Sequence, residues 1–120
     1  MRRAAWMVVA TAGLSLLLAS CSEAELPERS LRRDDCLREV HLNQLQQALK
    51  RCNAVVAHFP MDPQPRSERS VLLALTGDDN AACRDIEAAH ALVQRSRAGR
   101  LDPLLVSELE VRRRSCRGNG

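Results

Sequence analysis

The sequence is poor in aromatic side chains. Trp6 and Phe59 are the only two in 120 residues, and there is no tyrosine. Any interior must therefore be built from Leu, Val, Ile and Ala, whose burial returns roughly 25 cal/mol per Å² and makes for a thin core. Long apolar runs are lacking too: beyond position 21 the longest is the five residues 71–75, too short to span a bilayer. No strand-like alternation, internal repeat or low-complexity tract is present, and glycine and proline number five each. Nor is there a strong charge bias. Of the formal +3, two charges are Arg2 and Arg3, and removing them leaves 16 basic against 15 acidic groups. That balance excludes a nucleic-acid partner. At 13.3 kDa the chain holds one small unit and excludes a multi-domain enzyme.

What is present begins with an address. Met1, Arg2 and Arg3 precede the apolar run 4–19, placed and sized like a secretory h-region. The run ends in Leu18-Ala19-Ser20-Cys21. This tetrad resembles the lipobox of bacterial lipoproteins, in which cleavage falls immediately before the cysteine. The resemblance implies that residues 1–20 are a cleaved signal peptide and that Cys21 becomes a palmitate-type lipidated N-terminus. Ser22 stands where aspartate would signal inner-membrane retention, so the family rule implies the outer membrane, with the folded part facing the periplasm. Each buried acyl methylene contributes about 0.8 kcal/mol, so two or three chains anchor a protein durably. Residues 21–29, polar and containing Pro27, read as lipidated end and tether, and residues 30–120 as the helical domain.

Four cysteines then remain: Cys36, Cys52, Cys83 and Cys116. In an exported domain with so small a core, two disulfides are expected, while spacings of 16, 31 and 33 contain no close pair of the structural-zinc kind. Cys83 and Cys116 are equidistant from a turn centred near residue 99, which favours joining them. Cys36 and Cys52 would then pair only if the chain bends between them, because on an unbroken helix they lie about 24 Å and about 160° apart. The nested alternative, Cys36 with Cys116 and Cys52 with Cys83, stays open.

The fold class expected is all-α: a small disulfide-stapled bundle of three long helices and one short one. Leu42, Leu45, Leu49, Cys52, Val56 and Phe59 recur at spacings of three and four, predicting one long helix over 30–59. Pro60, Pro63 and Pro65 predict a stiff connector, and Ser67 a cap for a short helix to Thr76, closed by Gly77. Asp78, Asp79 and Asn80 are cap candidates for a third helix to about Ala98 along Ala82, Ile86, Ala89 and Val93. Asp102-Pro103 is the clearest start signal, opening a fourth helix with Leu105, Leu109 and Cys116, beyond which the tail from Arg117 is expected to fray.

No catalytic machinery is visible: there is no nucleophile elbow, paired carboxylate or phosphate loop, and His41, His58 and His90 are spaced as structural histidines. No cofactor, metal or small-molecule substrate is called for. In size, anchor and architecture the chain resembles the helical secretin pilotins, a resemblance of architecture over 22–120. It implies a non-enzymatic binding or assembly accessory for an envelope or secretion complex, with a protein partner seated in a groove beside the first helix. Leu45, Leu49 and Val56 are the candidates there, and an alanine-rich third helix would keep such a groove shallow or simply pack the bundle. The competing expectation is a structural or regulatory envelope lipoprotein, an inhibitor or conjugation-exclusion factor. It would act through a basic C-terminal face containing Arg112, Arg113 and Arg114; residues 95–120 hold seven basic and three acidic groups.

Overall fold

A computed structural model describes residues 30–96 and 100–118. The signal peptide, Cys21 and the tether assigned from sequence lie outside the described residues, as do residues 98 and 99 of the 98–102 turn. Four helices follow one another: α1 Leu45–His58, α2 Pro63–Leu75, α3 Asp79–Arg95 and α4 Pro103–Gly118. A single 3-10 turn, Leu42–Gln44, leads into α1, and no strand occurs among the described residues. The fold is the all-α, disulfide-stapled bundle expected. Among the described residues no helix is long and apolar enough to cross a membrane.

The first helix is shorter than its periodicity predicts. Residues 30–41 are turns, and Glu39 adopts a left-handed φ of 55° that no helix accommodates. Side chains hold this reversal. Arg32 N–H donates to Asp35 Oδ2 at 2.7 Å, and the Arg51 guanidinium donates to the carbonyls of Asp35 (3.2 Å) and Arg38 (2.6 Å). The fold-back brings Cys36 onto Cys52, a bonded pair with Cα atoms 4.4 Å apart instead of a helix-length away. Leu42, read as part of the α1 face, is consequently exposed, as is Leu37 within the fold-back.

α2 also starts earlier than predicted. Asp62 caps it, its Oδ1 accepting from Gln64 N–H at 3.0 Å, so Pro63 occupies the first helical position and Pro65 the first turn, where missing amides cost nothing. Ser67 is a buried interior residue of this helix, not its cap. Gly77 closes the helix end with φ 83°. Asp78 caps α3 through Ala81 N–H (3.0 Å), and Asp102 caps α4 through Leu104 N–H (2.9 Å). α3 ends at Arg95, short of Ala98. α4 continues through Gly118, because Cys116 in its last turn is tied to Cys83.

Cross-helix pairs show the antiparallel order. Asn53 and Arg69 bond at equal distance from residue 61, Arg69 and Asp85 from Gly77, and Glu87 and Arg113 from residue 100. α1 and α3 each pack along α2 rather than along one another, and α4 packs along α3. The apolar interior divides accordingly. Cys36, Ala48, Cys52, Val55, Val56 and Leu72 form one cluster; Ile86, Ala89, Leu105 and Leu109 form the other. One disulfide serves each half. The Arg69–Asp85 ion pair joins α2 to α3, and of the α3 alanines Ala82 and Ala89 are buried, Ala89 in the cluster shared with α4, so these two pack the bundle.

Candidate groove between the first three helices

Because α1 and α3 flank α2 without closing over it, a trough of about 450 Å³ remains above α2. That size lies in the range of ligand and side-chain pockets. Leu49 of α1, Leu73 of α2 and Ala81 of α3 supply its apolar surface. The small Ala81 side chain keeps the α3 wall low. Gln46 and Asn53 contribute amides, and two cations stand on opposite walls, Lys50 on α1 and Arg84 on α3. Both are exposed, and neither belongs to any ion pair among the described residues.

The trough's base is fixed electrostatically. Asp85 is buried on α3, and Arg69 of α2 grips it with two bonds, Nε to Oδ2 at 2.6 Å and Nη2 to Oδ1 at 2.7 Å. Nη1 of the same guanidinium donates to Asn53 Oδ1 at 3.2 Å, so one side chain joins three helices. Hydrogen bonding to Asp85 holds the Arg69 pKa above its already high ordinary value, burial opposing. Arg66 adds a distant second cation, 3.9 Å from Asp85. Removing Arg69 would leave the buried Asp85 carboxylate without its two hydrogen bonds.

The residues nominated from sequence separate on inspection. Leu49 lines the trough; Leu45 is half-buried against the first apolar cluster. Val56 is a core residue, 6 % exposed, and offers a partner no surface. Arg112 turns inward: Nη1 donates to the Ser67 carbonyl and the Ser70 hydroxyl, both at 3.1 Å, while Nη2 pairs with Glu108. Arg113 pairs with Glu87 at 2.9 Å and approaches His90 Nε2 at 3.3 Å. Arg114 alone of the three remains at the surface without an acidic partner among the described residues, donating to the Glu110 carbonyl at 3.4 Å. Sequence reasoning missed Lys50, Asn53, Arg69, Leu73, Arg84 and Asp85 as a set, since only the antiparallel packing collects them.

A second trough, between α2 and α4, is about 200 Å³ and contains Glu68 beside Arg112. Burial pushes the Glu68 carboxyl above the usual carboxylate range, with the Gln64 amide bond at 2.8 Å pulling the other way. Its Oε2 is enclosed without a hydrogen-bond partner. The histidines lie apart: His41 precedes the 3-10 turn, His58 ends α1 against Phe59, and His90 sits on α3. Among the described residues no group of three His, Cys, Asp or Glu side chains could hold a metal.

The described domain is thus a small disulfide-stapled helical bundle with an open three-helix trough. No protein-family model, curated protein or solved structure matches the chain.

Proposed function

We propose that this chain is a lipoprotein anchored by acylated Cys21 at the bacterial outer membrane. Facing the periplasm, it serves as a non-enzymatic, pilotin-like binding or assembly accessory for an envelope or secretion complex. The observation that carries this reading is Leu18-Ala19-Ser20-Cys21 at the end of the apolar run 4–19, where lipoprotein processing requires a small-residue approach to cysteine. Two disulfides in the described domain agree with an oxidising compartment. The trough beside α1 suits the seating of a partner segment. A basic C-terminal face is the weaker choice of working surface, because Arg112 and Arg113 are engaged within the bundle.

Metabolic labelling with a palmitate analogue, followed by mass spectrometry of the mature protein, tests the anchor. Label on Cys21 with residues 1–20 absent is expected, and Cys21→Ser should release the protein from the outer-membrane fraction. An unmodified Cys21 thiol or an uncleaved leader would refute the reading. Crosslinking in intact cells tests the role: recovery of a secretin or pilus subunit is expected, and binding lost only when Arg112 to Arg114 are neutralised would favour the basic face.

A further inference from the structure

We infer that the trough over α2 is a docking site for a protein segment whose apolar side chains are flanked by carboxylates. The inference rests on the binding-accessory reading and names its partner's chemistry. Charge complementarity carries it. Asp85 is the one carboxylate lining the trough, and both of its oxygens are already taken by Arg69. Lys50 on the α1 wall and Arg84 on the α3 wall therefore line the same trough as the apolar strip of Leu49, Leu73 and Ala81, with no free carboxylate in the lining to neutralise them. An acidic flank placed on the strip meets one cation on each wall, whereas a basic flank meets two like charges and no free carboxylate. Such like-charge opposition is how an interface rejects a wrong partner.

Other occupants fit less well. A bilayer surface is broad and flat and would not reach into a trough bounded by two helices. Nucleic acid stacks its bases on aromatic rings, and the trough has none. An amphipathic helix laid in the trough would present residues at i, i+3, i+4 and i+7 to the apolar strip, with its flanking positions over Lys50 and Arg84. The amides of Gln46 and Asn53 remain to bond its polar groups.

The probe is a set of labelled, end-capped amphipathic peptides of about 14 residues, four helical turns. All carry the same leucines at i, i+3, i+4 and i+7; the flanking positions are all Glu, all Gln or all Lys. Each is titrated by fluorescence anisotropy against the full chain in non-ionic detergent. The Glu peptide should bind about tenfold more tightly than the Gln peptide, as two exposed ion pairs allow, and the preference should shrink in high salt. The Lys50→Glu/Arg84→Glu variant should invert the order in favour of the Lys peptide, while Arg114→Glu should leave it unchanged. Both target residues are exposed and form no ion pair among the described residues, so the double variant should keep its far-ultraviolet circular dichroism. Binding that ignores flank charge, survives the double variant unaltered, or is absent for all three peptides overturns the inference. The palmitate label is scored separately. Charge preference without label retains the trough and refutes the lipoprotein reading; label without charge preference does the reverse.

Discussion

Removing the Cys36–Cys52 bridge should cost more stability than removing Cys83–Cys116, although it closes the shorter loop. Chain entropy alone predicts the opposite order. Separations of 16 and 33 residues correspond to about 3.1 and about 3.7 kcal/mol of lost loop freedom in the unfolded chain. Packing reverses this small difference. Cys36 and Cys52 are wholly buried in the apolar cluster with Val55, Val56 and Leu72, while Cys83 and Cys116 are half-exposed. Truncating two buried side chains leaves an unfilled space that adds about 1 kcal/mol per site, as for other single-atom core deletions. Cys36→Ala/Cys52→Ala should then cost about 5 kcal/mol and Cys83→Ala/Cys116→Ala about 4 kcal/mol. The first would consume much of the roughly 5–13 kcal/mol available to a domain of this size. Urea titration of a soluble chain beginning at residue 22, with a stabilising osmolyte so that both variants stay folded, gives the two free energies. Limited proteolysis should cleave first within 30–41 in the Cys36/Cys52 variant, because only the Arg51 bonds, the exposed Arg33–Asp62 pair and the partial packing of Leu31 and Val40 would still hold that fold-back. A larger loss for the Cys83/Cys116 variant, or uniform cleavage, would refute the packing argument.

Three further outcomes are expected. Arg69→Met, which leaves the buried Asp85 carboxylate without its two hydrogen bonds, should cost about 3–5 kcal/mol, whereas Arg69→Met/Asp85→Leu should cost far less; equal losses would show that the pair itself supplies the stability. Glu68 has a folded pKa raised above its unfolded one, so its charged form penalises the fold as pH rises from the ordinary carboxylate range through the raised value. Glu68→Gln should accordingly raise the melting temperature at pH 7 and have little effect below the ordinary carboxylate pKa; a gain of the same size at both pH values would show that ionisation is not the cause. Gly77→Ala meets no neighbouring atom but must adopt φ 83°, so urea titration should show a loss of about 1 kcal/mol, and no loss would mean that the turn relaxes freely.

Local signals were legible where one or two adjacent residues carry the mechanism. Asp102-Pro103 begins α4, Gly77 ends α2 and Asp78 caps α3. Asp62-Pro63 carries the same start signal, yet three prolines within six residues favour reading a connector. Two of them instead occupy a first turn, where proline is harmless. Asp85 falls on the predicted buried stripe of α3, and its tolerance there depends on Arg69 from another helix. Of the trough's lining only Leu49 was a candidate from sequence, since Lys50 and Arg84 look like ordinary solvated positions on their own helices.

Composition and periodicity sufficed for the all-α class, and symmetry about one turn favoured the Cys83–Cys116 pairing while leaving the nested alternative open, because both depend on spacing along the chain. The reversal at Glu39, the inward turn of Arg112 and Arg113, and the open face of α2 were decided only in three dimensions. A left-handed residue without glycine, a guanidinium choosing between solvent and Ser67, and two helices sharing a third rather than each other are settled by competition among contacts distant in sequence.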